Sequence, residues 1–245
     1  MTISQYLSKN LLTFGHFNTY NKKRNKLLFK LILKAGDILG KLDKNKQIKK
    51  DALFNTAFEL FTTKGINKTT ISDIVQQAGV AKGTFYLYFT DKYDVKNKLI
   101  SKKAGDLFIK GERELRKTKI SGLEPSIIFI IDYVVNELER DRPLLAFISK
   151  NLSWGVFRAA LNTPLDNSEN GTNFYDGYLQ LLEEDEYSYC NRELMLFSII
   201  ELVSGTCHSC ILYNEPLPLK DYKPFLYQTI HRIIEQYKIT EEQNG

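Results

Sequence analysis

Apolar residues fall three and four apart along most of this chain, the spacing that lays them on one side of an α-helix. Ile48, Ala52, Leu53, Ala57, Leu60 and Phe61 make one such stripe, widened by Phe54 and Phe58, and predict a helix over about 45–64. Gly65 suits the left-handed cap behind it, with Ile66 as the apolar residue that follows. Ile71, Ile74, Val75 and Ala78 repeat the spacing over a shorter span. Thr70 is a good N-cap for that second helix, and Asp73, three residues on, completes a capping pattern. Gly79 closes it, and Val80 is the apolar plug. A third, short helix starts near Ala81. Its Phe85 and Phe89 face the core, while Lys82, Thr84, Tyr86 and Tyr88 fall on other faces.

Downstream the pattern stays helical. Asp91 and Asp94 favour a helix N-terminus, and Val95, Leu99 and Ile100 carry a stripe on to Leu107 and Phe108 before Ser121, Gly122 and Pro125 end it. Further helices are predicted over 127–140, 142–161, 174–184, 193–214 and 221–237, with a polar loop at 162–173. The 193–214 segment is apolar on most faces and so must be buried on most sides. No strand-like alternation is long enough to compete. The expected fold is all-α, an N-terminal three-helix unit joined to a C-terminal helical bundle.

Two short helices and a tight turn are also an ordinary αα-hairpin. A helix-turn-helix is distinguished by its second helix, which enters the DNA major groove and needs small polar and basic residues at its start. Lys82, Gly83 and Thr84 meet that need, and Gly83 weakens the helix unless close backbone approach is wanted there. The run LFTTKG, TTISDIV, AGVAKGTFYLYF and DK resembles the N-terminal domain of the TetR (tetracycline-repressor) family, without a gap from about Lys49 to Leu99. The resemblance implies a DNA-binding domain over 45–105 (motif about 69–88) and a ligand-binding and dimerisation domain over 106–245. It implies a homodimer on a pseudo-palindromic operator in double-stranded DNA, controlled by a small apolar or aromatic effector. Position by position, it places Thr70, Tyr86, Tyr88 and Lys92 on phosphates and Lys82 and Thr84 nearest to base edges. Ala81 departs from the pattern, since relatives often carry Ser there. A protein partner in place of the effector, or activation in place of repression, is the alternative within the same fold.

Charge agrees with a polyanionic partner. The net charge is +5, but residues 1–103 hold 20 Lys and Arg against 7 Asp and Glu, and residues 104–245 hold 14 against 22. One end is therefore suited to a polyanion. A hydrophobic fraction of 43% and a charged fraction of 26% are those of a folded globular chain. Residues 1–44 form a basic extension beyond the family pattern. Leu28, Leu31, Ile32, Ala35, Ile38, Leu39 and Leu42 suggest an amphipathic helix. It reads as an arm on phosphates, a membrane-surface helix, or an extension without a role. Three Cys and no signal peptide fit a reducing, cytoplasmic compartment. No apolar run is expected to span a membrane, and no stable membrane association is expected.

In the C-terminal half, Phe129, Tyr133, Phe147, Trp154, Phe157, Phe174 and Tyr178 are the aromatics available to line an effector pocket, each equally explicable as core. Ser204, Gly205 and Thr206 allow close helix approach, and Phe225, Leu226, Ile230 and Ile233 offer an apolar seam, for a dimer or for the monomer core. The run Cys207-His208-Ser209-Cys210 lies mid-helix with no diagnostic partner ligands, so small buried residues explain it better than a metal or redox site. No nucleophile–base pair or Gly-rich phosphate loop occurs. Neither enzyme function nor a cofactor is expected.

Overall fold

The expected periodicities fold into ten helices in the computed structural model, which describes residues 19–149, 154–162 and 173–239. They are α1 (Thr19–Thr63), α2 (Ile71–Gln77), α3 (Lys82–Tyr86), α4 (Lys92–Leu115) and α5 (Leu123–Arg140). After these come α6 (Arg142–Ser149), α7 (Trp154–Leu161), α8 (Phe174–Glu184), α9 (Arg192–Tyr213) and α10 (Leu219–Tyr237). Among the described residues there is no strand, only an isolated antiparallel bridge between Tyr189 and Lys238. The chain is all-α.

The chain divides into two units, Met1–Ala52 and Leu53–Gly245. In the first, helix α1 begins at Thr19, well before the expected 45, so the basic segment and the predicted first helix are one 45-residue helix. The side chains of Leu28, Leu31, Ile32, Ala35, Ile38, Leu39 and Leu42 lie outside the described residues, as do residues 1–18. Near the end of this unit Gln47 donates to Asp51 across one helical turn, at 3.0 Å.

In the second unit two apolar clusters share its helices. One gathers Leu53, Phe54, Ala57 and Phe61 of α1 with Ile74 and Val75, Phe85 and Phe89, and Val95, Leu99 and Ile100 of α4. It continues into Leu144, Phe147 and Ile148 of α6. Phe147 makes an edge contact with Phe58 at 5.4 Å and stacks on Phe61 at 6.2 Å. The other cluster is the bundle core, drawn from α5 through α10. Gly111 brings α4 and α5 together, because a Cβ there would stand 3.3 Å from the Tyr133 ring.

Helix α9 departs from expectation. Its length and mean hydropathy of 1.6 are those of a membrane-crossing helix. Met195, Leu196, Ile199, Cys207, Cys210 and Ile211 are buried in the bundle core, but only 33% of its apolar window is buried, less than the burial on most sides that the sequence pattern implied. Helix α10 is clasped to α5 by Asp132. Lys223 donates from Nζ to Asp132 Oδ1 at 2.6 Å and to Asn136 Oδ1 at 2.6 Å, and the Tyr227 hydroxyl donates to the same carboxylate.

Candidate nucleic-acid interface and bundle cavity

Residues 69–89 build two helices around a few anchors. Thr69 is fully buried, and its hydroxyl donates to the Gly65 carbonyl at 2.8 Å. Thr70 caps α2 in a reciprocal box: Asp73 N–H donates to Thr70 Oγ1 at 3.1 Å, and Thr70 N–H donates to Asp73 Oδ2 at 3.0 Å. The backbone bond from Thr70 and the Lys64 ammonium at 3.1 Å hold the Asp73 carboxyl below the usual carboxylate range. Gly79 takes φ +67°, a left-handed value that favours glycine. The turn closes with Val80 N–H donating to the Val75 carbonyl at 3.0 Å.

Helix α3 is five residues long and starts at Ala81 with no side-chain cap, as the Ala in place of Ser implies. Phe85 is fully buried beneath it, 5.4 Å from Phe89, which in turn meets Phe54 edge-on at 5.1 Å. These rings fix the helix and leave its other side outward. Lys82, Gly83 and Tyr86 are exposed, and Thr84 and Tyr88 are half-buried. Gly83 has no positive φ, and nothing lies within 4 Å of where its Cβ would stand. Neither strain nor internal packing requires glycine there, whereas a closely approaching partner would. Sequence reasoning passed over Leu87, which is 77% exposed beside α3. The available signal was an apolar residue off the stripe between Phe85 and Phe89.

Lys92 behaves differently from what the resemblance implies. Its Nζ donates to the carbonyls of Ile66 at 2.9 Å, Asn67 at 3.2 Å and Thr69 at 3.0 Å, which occupies all three of its protons. It clamps the turn that delivers Thr70 to α2, and a phosphate contact would require it to leave those carbonyls.

The bundle holds a partly open cavity of about 580 Å³ between α4, α5, α8 and α9. Of the sequence candidates, Phe174 and Tyr178 line it, with Phe108, Ile127, Ile130, Ile131, Leu196 and Ile200. Phe157 lines a smaller void of about 90 Å³ that shares Phe108, Ile131 and Ile200 with the first. Phe129, Tyr133 and Phe147 line neither, because they pack on the DNA-side cluster. The Trp154 side chain lies outside the described residues. Tyr178 donates to the Arg192 carbonyl at 2.8 Å, and burial pushes its phenol well above its usual range. The cavity holds a group that sequence reasoning did not single out. Glu112 is 9% exposed, accepts from Arg116 Nε at 3.1 Å on Oε1, and leaves Oε2 buried without a partner.

Two of the proposed interface residues sit elsewhere. Leu226 and Ile230 are buried in the bundle core, which removes them from any surface. Phe225 and Gly205 are exposed, Ile233 is half-buried, and Ser204 lines the smaller void. Cys207 and Cys210 are buried free thiols, and burial pushes Cys207 up to about 12, so it stays protonated and unreactive at neutral pH. At the surface, Glu124, His231 and Glu235 bring ligand atoms within 4.8 Å of one another, and Glu124 accepts from or pairs with His231 Nδ1 at 2.9 Å.

A capped helix, a glycine turn and a ring-anchored helix with basic and small residues outward form a helix-turn-helix, the arrangement that sets its second helix into a DNA major groove. The comparisons agree. Residues 53–97 match the family model described as bacterial regulatory proteins, tetR family. It is 50% identical over 44 residues to the uncharacterized HTH-type transcriptional regulator YvdT of Bacillus subtilis, covering 18% of this chain and 23% of that protein. It is 34% identical over 74 residues to the fatty acid metabolism regulator protein of Bacillus subtilis, covering 30% and 38% respectively. These matches span less than half of each relative. The fold extends further. The crystal structure of FadR from Bacillus subtilis in complex with stearoyl-CoA superposes with a TM-score of 0.52 at 18% identity, covering 74% of this chain and 97% of that one. A TetR transcriptional regulator from Rhodococcus sp. RHA1 superposes with a TM-score of 0.55 at 15% identity, covering 78% and 97%.

Proposed function

We propose that the chain is a cytoplasmic, ligand-responsive repressor that binds a pseudo-palindromic operator as a homodimer. Residues 45–105 are its DNA-reading part, and residues 106–245 hold the effector and the dimer contact. The observation that carries this reading is the reach of α4. Its first half packs the helix-turn-helix through Val95, Leu99 and Ile100, and its second half lines the cavity through Phe108, Glu112 and Leu115. A ligand that prefers one position of α4 therefore also selects one position of α3. That is a population shift, and it requires different affinities for the two states.

At the DNA, Lys82 and Thr84 face the groove edges, Gly83 lets the backbone approach, and Tyr86 and Tyr88 flank the phosphates. Thr70 Oγ1 accepts the Asp73 N–H and keeps its own proton to donate to a phosphate. A single unit of this size reads few bases, and two-fold pairing doubles the site, with half-sites about 34 Å apart. Exposed Leu194, Tyr213 and Phe225 on α9 and α10 supply apolar surface for a second copy. The cavity favours a small molecule over a protein partner as the controlling signal. Selection from random DNA, followed by titration of the selected and scrambled duplexes, tests the reading. Recovery of a palindromic sequence supports it, and failure to recover any preferred sequence rejects it.

A further inference from the structure

The effector's chemical class can be argued from the cavity, on the premise that the cavity is the effector site. Its volume lies within the roughly 300–1,000 Å³ of small-molecule sites, and its walls are mostly apolar. Within those walls Glu112 Oε2 has no hydrogen-bond partner. A buried carboxylate oxygen left unpaired is costly, and a cation of matching geometry removes that cost. Arg116 donates to Oε1 alone, from Nε at 3.1 Å and Nη2 at 2.5 Å, and its side chain is 66% exposed, so the ion pair is open to solvent on the arginine side. The other charged groups at the lining, Asp176 and Glu184, are also acids. Phe108 and Phe174, with ring centroids 4.9 Å apart, present aromatic surface that attracts a positive group. Gly177 of α8 stands opposite the carboxylate, where a Cβ would come into ordinary contact with Glu112 Oε1 at 3.7 Å.

We propose that this cavity takes a lipophilic ammonium cation, its charge set against the Glu112 carboxylate and its hydrocarbon part laid along Phe108, Ile131 and Phe174. The site selects against an acid of the same shape, because an anionic head would meet Glu112, Asp176 and Glu184 with Arg116 as the sole opposing charge at the lining. The effector class thus differs from the acyl-CoA in the FadR crystal structure, although the fold is alike.

The test uses the full chain and three probes of one chain length, each below its micelle concentration: dodecylamine, dodecanol and dodecyl sulfate. Calorimetric titration is expected to rank the protonated amine first and the sulfate last. Glu112→Gln should weaken the amine roughly tenfold or more and leave dodecanol unchanged, as loss of a charge-assisted hydrogen bond requires. The substitution also removes the ion pair with Arg116, so unchanged dodecanol binding by the variant is what shows that lost amine binding is not lost folding. Sulfate binding as tightly as the amine, equal amine affinity in Glu112→Gln, or no binding by any probe each overturn the proposal. Those results leave operator selection untouched. Conversely, amine binding that leaves the operator complex intact sustains the ligand class while rejecting the effector role.

Discussion

At the scale of residues, the outward side of α3 assigns distinct tasks to its neighbours. Lys82→Ala should weaken binding to operator and scrambled DNA alike. It should also reduce the slope of log affinity against log salt by about 0.9 for a lost phosphate contact. Thr84→Ala should lower operator affinity alone, by about 1–3 kcal/mol if one base edge is read. Titrations at two salt concentrations separate the two effects. Lys92 is expected to behave unlike Lys82. Lys92→Ala removes three bonds to the 66–69 turn, so thermal stability should fall by about 1–2 kcal/mol while the salt slope stays near that of the parent. A slope reduced as in Lys82→Ala would return Lys92 to the phosphates. The exposed place of Lys82 at the start of α3 could be read from the motif because it is local. The direction of Lys92 could not, since its carbonyls lie more than twenty residues upstream. Glu112 was hidden differently. It falls on the stripe of Leu107, Phe108 and Leu115, and an acid in a stripe reads as an interruption until the cavity around it is seen.

At the scale of elements, caps and periodicity carried most of the fold. Thr70 with Asp73, Gly79, and the Phe85 and Phe89 pair all act within a few residues, and each formed what its spacing implied. The seam of α10 stayed open in the sequence because burial against the chain's own core and burial against a second copy require the same residues. Leu226 and Ile230 took the first course. Phe85→Ala should cost about 3–5 kcal/mol, seen as a lower urea midpoint, and should abolish operator binding because α3 loses its anchor. The clasp between α5 and α10 gives a pH dependence. Burial tends to raise the Asp132 carboxyl, but hydrogen bonds from Lys223 and Tyr227 outweigh it and leave the group below its usual 3.8. A depressed folded value means that its contribution is complete above about pH 4 and disappears as pH falls through the folded value. Asp132→Asn should flatten the acid limb of the stability curve and cost about 1–2 kcal/mol at pH 7, since Asp132 is 40% exposed.

At the scale of the whole molecule, the proposed mechanism makes release of DNA and uptake of effector two faces of one coupling. An effector that lowers operator affinity by some factor must itself bind the operator complex more weakly by that factor. Calorimetry with and without operator duplex measures both sides, and unequal factors would mean that the two ligands do not share one equilibrium. In that mechanism the carrier of the coupling is α4, a single unbroken helix of 24 residues. An unbroken helix transmits angular phase as well as displacement. One Ala inserted between Lys102 and Lys103 would turn everything beyond by about 100°, swinging Glu112 and Phe108 away from the cavity while Val95 and Leu99 kept their seats. Seven inserted residues would nearly restore the phase but lengthen the helix by about 10 Å. Exchange of effector domains between proteins of this build is therefore constrained like the meshing of two gears, where the joint must fall on a matching tooth.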